Sequence, residues 1–148
     1  MTDIPTTTMV PLEPPFIDAR GAIQNLVHGS LGSAVLIRST AGAVRAEHWH
    51  REDFHYCYLL SGALLYLERP VGSQEMPVVT RIGAGELFFT PPLVEHSMVF
   101  LEPSEFLTLG KLSRTHAAYE ADLVRLDVKL SELSAVRAAY PELVAVLP

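Results

Sequence analysis

Apolar and polar positions alternate over short stretches for most of the chain, and glycine or proline cuts the stretches apart. Residues 22–28, 33–40, 43–50, 54–60 and 63–68 form the first five runs. Residues 78–82, 87–90, 95–101 and 105–112 complete the series. A period of two, rich in β-branched and aromatic residues, marks half-buried strands. Gly72-Ser73, Gly83-Ala84-Gly85, Pro91-Pro92 and Pro103-Ser104 separate the later runs, as turn residues do. Asp18-Ala19-Arg20-Gly21 reads as an earlier turn, and Ser61-Gly62 as a hairpin turn. Many short strands at this spacing predict an all-β sandwich or barrel.

The two ends depart from the pattern. Residues 1–15 carry Pro5, Pro11, Pro14 and Pro15 without a period, and read as an extended arm with room for a short edge strand. From Thr115 the spacing turns helical: Ala118, Asp122 and Arg125 share one face, and Tyr119, Leu123 and Leu126 another. Ser131 reads as the cap of a second helix, which Pro141 would end. The expected organisation is an arm over 1–15, a barrel over 16–114 and a helical tail over 115–148 packed on the barrel.

Composition narrows the partners. Of 148 residues, 49% are hydrophobic and 19% charged, the balance of one ordinary globular domain. A net charge of −6 with no Lys/Arg cluster disfavours nucleic acid. No apolar run is long enough to span a bilayer, and residues 1–15 lack the basic and apolar regions of a secretory signal. Cys57 has no partner for an internal disulfide. A cytoplasmic protein with a small-molecule substrate is expected.

Four of the six histidines change the picture. His48 and His50 are two apart on one strand, so they share a face. His55 follows the polar run Arg51-Glu52-Asp53 and can return on the neighbouring strand. His96 comes from a distant strand. A lone histidine is ordinarily a hydrogen-bonded core or surface residue, but this set can converge at a barrel mouth. Imidazole suits one divalent transition metal: Zn, Fe, Ni or Mn. Glu52 and Asp53 read as solvated loop charges.

The spacing resembles the cupin superfamily. Its first motif runs Gly, five residues, His-x-His, three or four residues, Glu, six residues, Gly; here Gly42, His48, His50, position 55 and Gly62 fall on that frame. Its second motif maps onto Gly85, Pro91, Leu93, His96 and Phe100. The resemblance implies a single-domain, RmlC-like double-stranded β-helix, or jelly-roll barrel, with the short C-terminal helices appended. It implies metal ligation by His48, His50, His55 and His96, and a homodimer. Position 55 is His where cupins place Glu, position 93 is Leu for Gly, and position 100 is Phe for Asn. Four neutral ligands would leave the ion its full charge and make it a stronger Lewis acid; alternatively His55 swings away and serves as a base.

Strand alternation predicts that Val44 and Ala46 face inward with His48 and His50, and that Cys57, Met98 and Phe100 line the same pocket. Cys57 reads as a small buried hydrophobe, and Phe88, Phe89 and Phe106 as core. Tyr56, Tyr58 and Tyr66 are acid–base candidates against a background of packing; Tyr66 and His55 are the expected catalytic pair. Glu68 and Arg38 are candidates for holding a polar substrate, and Trp49 for an outer, dimer-forming face. The main functional expectation is a metal-dependent isomerase, cyclase or lyase, using the ion as Lewis acid on a carbonyl or enol. Alternatives are an Fe(II) dioxygenase, a non-catalytic small-ligand binder, and a sugar-nucleotide epimerase or ketoisomerase. The last is kept open by Asp18-x-Arg20-Gly21, a four-residue stretch that weakly resembles the opening of cupin-fold sugar-nucleotide enzymes, which often work without metal, using a His and a Tyr.

Overall fold

The computed structural model describes residues 4–148; the first three residues of the expected arm lie outside them. Among the described residues, eleven strands precede the tail. They are β1 (Met9–Val10), β2 (Phe16–Asp18), β3 (Gly21–Ile23), β4 (Ser33–Ser39), β5 (Val44–His50) and β6 (His55–Ser61). β7 (Ala63–Pro70), β8 (Val78–Gly83), β9 (Leu87–Thr90), β10 (Val94–Phe100) and β11 (Ser104–Gly110) follow. The tail comprises α1 (His116–Asp122), β12 (Leu123–Arg125), a 3-10 turn (Leu130–Glu132), α2 (Ser134–Ala139) and α3 (Pro141–Val146).

Two five-stranded antiparallel sheets, ordered β1-β9-β6-β11-β4 and β12-β5-β10-β7-β8, face each other as a cupin-type jelly roll. Cys57, Leu59, Leu64, Tyr66, Phe88 and Phe106 fill the space between them. Both sheets are also covered outside. Leu130, Val136 and Leu143 of the tail pack on Leu65, Leu67 and Val99. Val10, Leu12 and Val27 pack on Tyr56, Leu87 and Phe89. Cover on both faces explains why β7 is buried without a break from Ala63 to Leu67 instead of alternating. Among the described residues no helix is long and apolar enough to cross a membrane.

Three local expectations are corrected. Ser61-Gly62 is not a hairpin turn: β6 and β7 belong to different sheets, and Gly62, at φ 93°, carries the chain round the corner. Residues 22–28 are not one strand; only Gly21–Ile23 pair, with Phe16–Asp18, across the expected turn, where the Asp18 carboxylate accepts the Arg20 N–H at 2.8 Å. Ser131 does not cap the second helix but lies inside the 3-10 turn, and Leu133 precedes α2; α2 ends before Pro141 as expected, and Pro141 also opens α3, since its missing N–H costs nothing in the first turn. Leu93, which replaces the motif glycine, keeps the glycine-like conformation at φ 61°; its N–H donates to the His50 carbonyl at 2.8 Å.

β5 breaks its alternation. His48 lies opposite His96, Ala46 opposite Ser97 and Arg45 opposite Met98, so Glu47 is an extra residue, a β-bulge. Ala46 (φ 69°) and Glu47 (φ 57°) both occupy the left-handed region, uncommon for residues other than glycine. In register Val44 lies opposite Val99 and Arg45 beside Met98, so Arg45 joins the cavity side, and Val44 and Ala46 still border the cavity with His48 as expected.

Candidate active site

Regular pairing brings the histidines together. His96 on β10 sits opposite His48 on β5, and their rings are 4.8 Å apart. His50, two residues on, lies 4.8 Å from His48 and 4.7 Å from His55 on β6. His55 pairs with Gly110 of β11; a Cβ there would come within 2.9 Å of the imidazole, so the glycine makes room for the ring. One ring nitrogen each from His48, His50 and His96 lies within 4.8 Å of the other two.

Acceptors from the protein fix most of these rings. His50 Nδ1 donates to Asp122 Oδ2 at 2.9 Å, leaving Nε2 buried without a partner. The same carboxylate accepts the backbone N–H groups of Glu52 at 2.8 Å and Asp53 at 3.3 Å, tying α1 to the β5–β6 loop. His55 Nε2 donates to Asp53 Oδ2 at 2.9 Å, and Asp53 Oδ1 accepts the Leu112 N–H at 3.0 Å. Glu52 and Asp53 thus part ways: Glu52 is exposed, Asp53 buried and engaged. His96 Nδ1 donates to the Val94 carbonyl at 3.0 Å.

Burial dominates the charge state. It pushes His48 down to about 2, helped by the neighbouring His96, His50 and His55, and His96 down to about 3; His50 is also lowered by burial, so these rings are neutral. Burial raises Asp53, but the His55 hydrogen bond and charge and the Leu112 N–H outweigh it, so the carboxyl lies below its usual range. Burial pushes the Cys57 thiol up to about 12, consistent with a hydrophobe and not a nucleophile.

A cavity of about 200 Å³ opens onto His48, His55 and His96. Ala46, Cys57 and Met98 line it, while Phe100 lies in the core beneath, stacked on Phe106 at 5.6 Å. Tyr66, expected as the catalytic partner of His55, is fully buried with its hydroxyl bonded to Thr90 Oγ1 at 2.8 Å, and it does not line the cavity. Arg38 points outward to Glu105, and Glu68 accepts from Thr8. Arg45, Arg114 and Tyr119 are its remaining charged or phenolic lining residues, and none was singled out for chemistry from the sequence. Tyr119, on α1, lies 6.1 Å from the His48 ring, with the Arg114 guanidinium 4.4 Å over its own ring. Helical spacing placed Tyr119 and Asp122 on α1, but nothing in the sequence says that α1 folds back over the barrel mouth.

Comparison with known proteins adds the fold. No protein-family model and no curated protein matches the chain. Solved structures do. One is the sugar 3,4-ketoisomerase QdtA from Thermoanaerobacterium thermosaccharolyticum in complex with TDP, with 13% identity, TM-score 0.65, covering 80% of this chain and 87% of that one. A 3,4-ketoisomerase from Helicobacter canadensis has 13% identity and TM-score 0.63 over 76% of this chain and 86% of that one. ChmJ, a 3'-monoepimerase from Streptomyces bikiniensis in complex with dTDP-quinovose, has 15% identity and TM-score 0.61 over 73% and 65%. These establish the cupin-type fold. They also correct the expectation of one divalent transition metal per chain: the structures sharing this fold are described as isomerases and epimerases, two of them with thymidine-diphosphate ligands. Of the four imidazoles expected to converge, His48, His50 and His96 bring one nitrogen each within 4.8 Å of one another, while His55, its ring 4.7 Å from that of His50, gives its Nε2 to Asp53.

Proposed function

We propose that the chain is a sugar-nucleotide isomerase or epimerase, which moves a proton at the carbon beside a sugar carbonyl. The observation that carries this reading is His55, which lines the cavity and is held from behind by the buried Asp53. With Nε2–H given to Asp53, His55 Nδ1 holds the lone pair and is the base. The buried carboxylate orients the ring and offsets the charge it gains when it takes the proton. The electrons left on the substrate pass to the carbonyl oxygen as an enolate, which the Tyr119 hydroxyl meets as donor. For isomerisation the imidazolium returns the proton to the former carbonyl carbon while the Tyr119 oxygen, having given its proton to the enolate, takes the one on the adjacent hydroxyl, so the ketone moves one position; for epimerisation an acid on the face opposite His55 must protonate the original carbon.

Size and charge support the substrate class. About 200 Å³ is small beside the ~300–1,000 Å³ of pockets that enclose a whole drug-sized ligand. It suits the sugar and leaves a nucleotide at the mouth, where Arg45 and Arg114 offer guanidinium groups to a diphosphate. The test is exchange in D2O with TDP-4-keto-6-deoxyglucose, a ligand described with QdtA. Deuterium is expected to appear beside the carbonyl, and His55→Asn to slow this at least a hundredfold while TDP affinity stays within about twofold. An unaltered exchange rate in His55→Asn removes His55 as the base; no exchange and no TDP binding by the native chain removes the reading.

A homodimer belongs to the same proposal. Phe16, Ile17 and Ile23 are 60–70% exposed on the β2–β3 hairpin, which forms a two-stranded sheet of its own. A pair of strands is marginal alone in water, and a second copy would cover these side chains. Light scattering should give twice the chain mass; a monomer at micromolar concentration would refute it.

A further inference from the structure

We infer that Glu47 is a positioning residue that holds Arg45 on the cavity side of β5, by clamping the bulge to the C-terminal tail. The inference rests on the sugar-nucleotide reading for its meaning, but its geometry stands apart from it. Arg45 and His48 are three residues apart, so a regular strand would send them to opposite faces. The extra residue at Glu47 cancels that, and both line the cavity. Ala46 and Glu47 hold the bulge in the left-handed region, a conformation that persists only where the surroundings enforce it.

The enforcement comes from the Glu47 carboxylate, 8% exposed on the outer side of β5. It accepts the Leu130 N–H at 2.8 Å, the Ser131 N–H at 3.2 Å and the Ser131 hydroxyl at 2.5 Å from the 3-10 turn. It also accepts the Ser97 hydroxyl at 2.9 Å from β10, the residue opposite the bulge. The Glu47 carbonyl accepts the Leu126 N–H at 3.0 Å. A buried carboxylate with four donors is thus seated 83 positions away on the tail, and no alternative register of β5 would keep it there. Arg45 itself is exposed at the cavity rim: its Nε donates to Ser39 Oγ at 2.7 Å and its NH2 group to the Arg38 carbonyl at 2.9 Å, which leaves the rest of the guanidinium for an anion.

The experiment is a double-mutant cycle in the full chain with thymidine diphosphate as probe, read by calorimetry beside a urea melt. Arg45→Ala and Glu47→Ala should each lower TDP affinity about tenfold, and the double variant should bind no worse than Arg45→Ala alone. Losses that add, or native affinity in a folded Glu47→Ala when Arg45→Ala has lost it, overturn the inference. Should Glu47→Ala not fold, Glu47→Gln and Ser131→Ala carry the same comparison. If the native chain does not bind TDP, the sugar-nucleotide reading fails first. The clamp is then decided by amide exchange: faster exchange at residues 44–48 in Glu47→Gln, beyond any global destabilisation, supports it, and unchanged exchange there overturns it.

Discussion

Ala46 carries a side chain in a conformation that glycine adopts freely, at φ 69°. The left-handed region costs an L-residue roughly 1–2 kcal/mol, against roughly 0.5–1 kcal/mol for the extra freedom glycine has when unfolded. Ala46→Gly should therefore raise stability by about 0.5–1 kcal/mol in urea melts. A loss of stability would mean that the Ala46 methyl packs for more than the strain it causes. Single residues were also where the sequence spoke most clearly. The spacing of His48, His50, His55 and His96 marked one locality, because strand period and motif frame are local properties. The bulge was not legible, since a run that alternates polar and apolar looks the same with or without an inserted residue.

At the scale of elements, the corner at Gly62 shows why partners are harder to read than strands. A glycine between two apolar runs has the same appearance whether the second run folds back on the first or crosses to the facing sheet. What decides is the chain packed against it: a Cβ at position 62 would come within 2.6 Å of the Pro103 carbonyl oxygen. With φ at 93°, Gly62→Ala combines a backbone clash with torsional strain and should cost about 2–4 kcal/mol in a urea melt. A loss below about 1 kcal/mol would show that the β10–β11 turn gives way easily. The tail was legible as helix but not as part of the site. Asp122 meets His50 across 72 positions of sequence, and short-range periodicity carries no information over that distance.

At the scale of the whole molecule, the neutral histidines set how stability responds to acid. Unfolded, His48 and His96 titrate near 6.5; folded, they are pushed down to about 2 and about 3. Between those limits the unfolded chain binds more protons, so stability is complete above about pH 6.5 and falls as the pH drops through the window. The slope is on the order of 1 kcal/mol per pH unit for each ring. Urea midpoints at pH 7 and pH 5 check it, and a flat profile would mean that the two rings accept protons in the folded state.

The cavity draws on two distant parts of the chain. Its inner wall, with His48, His55 and His96, comes from the barrel strands, while Arg114 and Tyr119 come from the stretch after β11. Arg114 and Tyr119 are therefore inherited apart from the base, His55. A transplant of residues 113–121 from another member of this fold would leave the His55–Asp53 pair in place, with Asp122 as the anchor to preserve, and could change which nucleotide is admitted without rebuilding the group that takes the proton.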